Sequence, residues 1–174
     1  MKEYSVFIFM SLVLSGCNDA GLVPPDNESG SRLGDAVISI RHIPGTNVTL
    51  RIMDSLGTSK CSFGSSEPIF LRYSFVNLTG TEQKVTMGRS SPFARFFVLH
   101  GPDTLADSFD GMAFEAVMLY GTVKNGDSLT ADWKVNAATF HLSPGTYMAT
   151  ASASFVIGGH GAPGDCRGVF EINR

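Results

Sequence analysis

The stretch that decides the fold is Ile69-Phe70-Leu71-Arg72-Tyr73-Ser74-Phe75-Val76. Large apolar side chains occupy every second position from residue 69 to residue 75, and Arg72 and Ser74 fall between them. Alternation with a period of two is typical of a strand that buries one face, because successive side chains point to opposite sides of a sheet. We therefore predict a β-strand here, with its odd-numbered residues in the core.

The same alternation recurs on both sides of this stretch, around residues 48–53, 129–134 and 147–155. Clusters of Gly, Pro, Asn and Asp separate these segments and predict turns. Many short strands with such turns indicate an all-β domain, specifically an immunoglobulin-like antiparallel β-sandwich over residues 35–174. Residues 114–120 are apolar but short, so the pattern fits either a strand or a short helix.

The N-terminus carries a different signal. An apolar run from Tyr4 to Leu14 ends at Leu14-Ser15-Gly16-Cys17. The run is shorter than the roughly 20 residues that a membrane-spanning helix needs, and a short apolar core followed by small residues is typical of a secretory signal. The motif resembles the lipobox of bacterial lipoproteins, which implies cleavage after residue 16 and lipid attachment to Cys17. An ordinary signal peptide with a chance cysteine is the alternative.

The resemblance also implies a cellular location. We expect a lipoprotein held on a membrane outside the cytoplasm, and Asn18 is compatible with an outer membrane, facing the periplasm or the cell surface. Residues 17–34 are rich in Gly, Pro, Ser, Asn and Asp, so they predict a flexible tether between the lipid and the domain.

Charge limits the range of partners. The chain has 13 Lys and Arg against 16 Asp and Glu, for a net charge of −3. A mildly acidic chain without a basic cluster lacks the electrostatic footprint of a nucleic-acid-binding protein. We expect membrane contact through the lipid anchor and no nucleic-acid partner.

Two cysteines remain beside Cys17. Cys61 and Cys166 form an even pair in an oxidising compartment, which favours a disulfide between them. Such a bond would close a loop of about 105 residues. Two buried thiols and a metal site are the alternatives, and neither cysteine has a second Cys or His at metal-ligand spacing.

No catalytic pattern stands out. The four histidines are not spaced as metal ligands, and the sequence contains no Gly-x-Ser-x-Gly nucleophile motif. Acidic residues between 103 and 110 do not follow the calcium-loop pattern. The prediction is a protein that is not an enzyme and that uses no metal or cofactor.

A family resemblance covers residues 69–155. Its pieces are an apolar strand ending in Asn77, the turn Asn125-Gly126-Asp127, the strand containing Trp133, and Pro144-Gly145-Thr146-Tyr147 before another strand. This order resembles the intracellular proteinase inhibitor family, a β-sandwich module. The resemblance implies a domain that docks a proteinase through its loops. The family's second tryptophan segment is missing, because residues 104–109 read Thr-Leu-Ala-Asp-Ser-Phe.

Four apolar residues in loop-like surroundings are the candidate partner-binding residues: Phe93, Phe109, Met112 and Phe114. Aromatic side chains on sandwich loops make good interface anchors; capping of the core ends is the structural alternative. The hypothesis is a lipid-anchored, non-catalytic binding module, proteinase-inhibitor-like, that docks a protein partner. A structural or adhesive domain of the cell envelope is the alternative.

Overall fold

The computed structural model describes residues 43–88, 91–115 and 117–174. The predicted signal peptide, the tether and residues 35–42 lie outside these ranges. The described ranges contain strands and no α-helix. The strands are β1 (Thr46–Met53), β2 (Ser62–Gly64), β3 (Ile69–Asn77), β4 (Gln83–Gly88), β5 (Ala94–His100), β6 (Asp103–Asp107), β7 (Met118–Val123), β8 (Ser128–Val135), β9 (Gly145–Ala153), β10 (Phe155–Ile157) and β11 (Cys166–Asn173).

Three sheets build a β-sandwich. A five-stranded sheet has the order β2-β11-β9-β5-β6, and two three-stranded sheets have the orders β1-β3-β8 and β10-β4-β7. All pairings of these strands are antiparallel except that of β2 with β11. The predicted all-β, immunoglobulin-like antiparallel sandwich is therefore confirmed. The ambiguous segment 114–120 ends in strand β7 and contains no helix among its described residues.

The core follows the alternation seen in the sequence. Ile69, Leu71, Tyr73 and Phe75 of β3 are all fully buried. Between the sheets, the Phe96 ring of β5 stacks on Trp133 of β8 with centroids 6.1 Å apart. A core packed from both layers explains why one face of each central strand is apolar.

Strand β9 allows the two layers of the sandwich to pack closely, and the chain that follows it connects them. Its inward residues Ala149 and Ala151 are fully buried, and small side chains leave little bulk between the sheets. After Ala153 the chain crosses at Ser154 to the opposite layer, where Phe155 of β10 pairs with β4. Phe155 meets Phe75 of β3 edge-on, at 5.4 Å between centroids, so this crossing joins all three sheets.

A corner centred on Asn77 connects two of the sheets. The β3–β8 ladder ends at Val76, and the β4–β7 ladder resumes at Gln83 opposite Val123. The fully buried Asn77 amide donates to the carbonyls of Thr81 and Val123, at 2.8 Å each. Its oxygen accepts hydrogen bonds from the Thr79 N–H and hydroxyl. One side chain thus satisfies the backbone where regular pairing stops.

The predicted disulfide between Cys61 and Cys166 is wrong for this strand arrangement. The Cys61 carbonyl accepts a hydrogen bond from the Glu171 N–H at 2.7 Å, because β2 runs parallel to the end of β11. Cys166 begins β11, four to five positions earlier, which is roughly 13–16 Å along a strand. A disulfide spans Cα atoms less than about 7 Å apart. An even number of cysteines does not show how β2 is aligned along β11.

Candidate protein interface

Strand β7 is an edge strand with an unusually apolar and exposed surface. It pairs with β4 on one side and has no neighbouring strand on the other within the described ranges. Five of its six residues are exposed, and Val123 alone is buried. The exposed residues include Met118, Leu119 and Tyr120, the last with 80% of its surface accessible. An open edge offers unpaired backbone N–H and C=O groups to another chain.

The exposed apolar surface continues into the loop that leads to β7. We call the apolar strip the set Met112, Phe114, Val117, Met118, Leu119 and Tyr120, all of which are exposed. Single exposed apolar residues are ordinary on protein surfaces, whereas several of them within one short segment favour an interaction site.

Polar contacts hold the start of this loop in place. Asp107 at the end of β6 accepts two hydrogen bonds from the Arg95 guanidinium, and one of its oxygens also accepts from the Phe109 N–H at 2.9 Å. The hydrogen bond from Arg95 holds the pKa of Asp107 below its ordinary value, so the carboxylate stays charged at neutral pH. Arg95 also lies over the Phe109 ring, 5.3 Å from its centroid, and Phe109 contacts Phe114 at 4.6 Å.

An apolar groove lies behind β7. Its volume is about 240 Å³, and Met87, Phe93, Leu119 and Leu129 are among the residues that line it. Phe93 also packs edge-on against the core ring of Phe155, with centroids 6.2 Å apart. The groove therefore connects the edge strand to the interior of the sandwich.

The structure brings together three of the four predicted partner-binding residues. Phe109, Met112 and Phe114 share one loop, where Met112 and Phe114 are exposed and Phe109 is half-buried. Phe93 lies outside this loop, in the groove beside Leu119 of β7 and against the core. Residues 117–120 were not among the predicted partner-binding residues, although their unbroken apolar run, Val-Met-Leu-Tyr, is unusual for an exposed edge.

The described residues form neither a metal-binding cluster nor a membrane-spanning helix. Within residues 43–88, 91–115 and 117–174, no group of three or more His, Cys, Asp or Glu residues is close enough to hold a metal ion. In the same ranges, no helix is long and apolar enough to cross a bilayer.

The sequence matches no protein-family model and no curated protein sequence. Solved structures with a similar arrangement include the C-terminal domain of wzt, at 13% identity and a TM-score of 0.45, covering 75% of this chain and 74% of that one. The major subunit AggA of the aggregative adherence fimbriae type I from Escherichia coli has 14% identity and a TM-score of 0.37, covering 76% and 98%.

A β-glucosidase from Listeria innocua in complex with glucose has 9% identity and a TM-score of 0.38, and the match spans 74% of this chain but 16% of that enzyme. At these identities the likeness concerns the fold alone.

Proposed function

We propose that this protein is a lipid-anchored, non-catalytic binding module that docks a protein partner along the edge of β7. The observation that carries the proposal is the apolar strip on an edge strand that lacks a neighbour among the described residues. The docking mode would be strand addition, in which main-chain hydrogen bonds provide affinity and side-chain pockets provide specificity. The groove lined by Phe93 and Leu119 is suited to one apolar side chain of the added strand.

The energetics favour a modest affinity. Burying a large apolar side chain contributes roughly 1.5–3 kcal/mol, so the surface still exposed on Met118, Leu119 and Tyr120 would contribute about 3–5 kcal/mol. Association costs about 4–15 kcal/mol in lost freedom, so strand hydrogen bonds and the loop residues must add to this gain. Lipid attachment at Cys17 would confine both partners to one surface, where a high effective concentration compensates for weak binding.

The kind of partner follows from the family resemblance. An inhibitor-like module would dock a proteinase, whereas a structural or adhesive domain would bind another envelope component. An inhibition assay separates these two roles. The full-length protein is tested at micromolar concentration against a panel of envelope proteinases. Inhibition supports the first, and specific capture of an envelope protein without inhibition supports the second.

The test of the interface is a Tyr120→Lys substitution in the full-length protein. A lysine at this exposed position places a charge on the docking edge and should weaken partner capture about tenfold, since it removes one large apolar anchor. Leu56→Lys is the matched control, because Leu56 is 88% exposed in the turn after β1, away from β7. Equal partner binding by both variants contradicts docking at β7.

The anchor is tested separately. Intact-mass analysis of membrane extracts should find a lipidated species that begins at Cys17. A soluble, unlipidated product would refute the anchor and would leave the β7 interface to be judged on its own result.

A further inference from the structure

The outer face of the five-stranded sheet carries a second concave site, away from β7. A cleft of about 290 Å³ lies across β5, β9 and β11, with Phe97, Leu99, Thr150, Ser152, Asp165 and Arg167 in its lining. This volume lies just below the range of roughly 300 to 1,000 Å³ of ligand pockets, which limits the cleft to one small ligand or one unit of a chain. We call this site the outer cleft.

Strand register explains the shape of the outer cleft. Phe97 of β5 pairs with Thr150 of β9, and Thr150 pairs with Arg167 of β11, so the three side chains form one row. Thr150 and Ser152 are small and form the floor, while Phe97 rises on one side and Arg167 and Asp165 on the other. Neighbouring strands are about 4.8 Å apart, so the two walls stand about 10 Å from each other.

Contacts within the protein fix the position of the Phe97 ring in the absence of a ligand. The Arg95 guanidinium lies over the Phe97 ring, 4.9 Å from its centroid. Arg95 is itself fixed by Asp107, whose carboxylate accepts hydrogen bonds from two guanidinium nitrogens. A ring fixed in this way loses little freedom on binding, which favours affinity.

The polar groups of the outer cleft have no partner within the described part of the chain. The side chains of Thr150, Ser152, Asp165 and Arg167 form no hydrogen bond or ion pair with another described residue. Thr150 is also largely buried. Two hydroxyls, a carboxylate acceptor and a guanidinium donor thus face a single cleft beside an aromatic ring.

We propose that the outer cleft binds a neutral saccharide, with the Asp165 carboxylate and the Arg167 guanidinium engaging hydroxyl groups and the C–H face of the sugar against Phe97. Asp165 accepts from hydroxyl groups and Arg167 donates to them, and both side chains are planar and bind two neighbouring oxygens at once. A simple anion would be repelled by Asp165, and a simple cation by Arg167. A purely apolar ligand would leave the charges and the floor hydroxyls desolvated without partners.

The test is binding by the full chain in a detergent without a sugar headgroup, measured by saturation-transfer NMR and calorimetry. The probes are maltotetraose, cellotetraose and chitotetraose, with inorganic phosphate and glycine as anionic and zwitterionic comparisons. We expect at least one tetrasaccharide to bind and neither comparison to compete. Arg167→Met should weaken that binding about tenfold or more, since a charged hydrogen bond is lost. Thr150→Val, nearly equal in shape, should weaken it less.

Arg51→Met is the matched control, because Arg51 is exposed on β1 in the opposite layer and should leave binding unchanged. Three results overturn the proposal: no tetrasaccharide binds, phosphate or glycine binds in place of the sugars, or Arg167→Met binds as the unaltered protein does. The proposal is independent of the β7 interface, since Tyr120→Lys should leave saccharide binding intact.

Discussion

Replacing Asn77 by alanine should remove the side chain that holds the corner between β3 and β4. Four hydrogen bonds disappear, two donated by the amide and two accepted by its oxygen. The Val123 carbonyl bond is buried, and an unsatisfied buried acceptor costs about 1–3 kcal/mol. Once the Asn77 side chain is removed, the Thr79 hydroxyl can donate its proton to the Thr81 carbonyl, 3.1 Å away, so the loss at Thr81 is smaller. At roughly 0.5–1.5 kcal/mol for each of the three remaining bonds, we expect a total loss of about 2.5–7.5 kcal/mol.

The assay is urea unfolding followed by the fluorescence of Trp133, the one tryptophan of the chain. Asn125→Ala is the matched control, because the Asn125 oxygen accepts one exposed hydrogen bond from the Gly80 N–H in the same corner, and its loss should cost about 0.5–1.5 kcal/mol. Equal losses of unfolding free energy in the two variants would refute the role of Asn77.

Asn77→Asp provides a second readout of the same corner. The introduced carboxylate cannot donate to the carbonyls of Thr81 and Val123, and burial beside them raises its pKa in the folded state. The variant should therefore lose stability as the pH rises through that raised pKa. Stability independent of pH relative to the unaltered protein would contradict the described contacts.

Three further substitutions test the packing and the charges. Gly168→Ala should cost about 1 kcal/mol, since its Cβ would lie 2.9 Å from the Cδ1 of Ile52, the outer end of a side chain that can shift, and Ile52→Val should recover part of the loss in urea unfolding. Tyr73→Phe should leave stability unchanged or raise it by about 1 kcal/mol, because the buried hydroxyl has no hydrogen-bond partner in the described structure. Asp107→Asn should reduce the fall of the unfolding free energy at acid pH, measured by unfolding curves at a series of pH values. Arg95 lowers the pKa of Asp107 in the folded state. The Asp107 carboxylate therefore contributes fully to stability above about pH 4, and this contribution is lost as the pH falls through the lowered pKa.

A specific result would contradict each of these three expectations. An equal loss for Gly168→Ala with and without Ile52→Val would contradict the close approach of β1 and β11. A loss above 1.5 kcal/mol, roughly that of a typical hydrogen bond, for Tyr73→Phe would require a partner for its hydroxyl. An unaltered acid profile in Asp107→Asn would show that its ion pair does not contribute to folding.

The alternation in the sequence correctly predicted strands β1, β3, β8 and β9. Residues 69–76 form most of β3, and their odd-numbered members are buried. Side-chain direction along a strand depends on local backbone geometry, so a local pattern reveals which face is buried. The sequence pattern did not decide the secondary structure of residues 114–120, because a short apolar run can be a buried helix, a buried strand or, as here, an exposed edge strand.

The candidate sites were less predictable. Met112 and Phe114 were identified from their loop-like surroundings, and they are exposed as expected. Phe93 has the same surroundings in the sequence but packs against Phe155. The difference arises from the crossing of β9 into β10, which brings Phe155 to that end of the sandwich.

The sequence by itself determined β1, β3, β8 and β9 and the turns beside them, because alternation and turn residues are local features of the chain. It did not show that residues 147–155 divide at Ser154 between two sheets. The tertiary structure alone decided that β7 is an edge, that Asn77 joins two ladders, and that Cys61 lies far along β11 from Cys166. It also assembled the outer cleft from β5, β9 and β11, which are distant in sequence. These features depend on which strands pair and in which register, and that is settled by the packing of the whole domain and not by any local pattern.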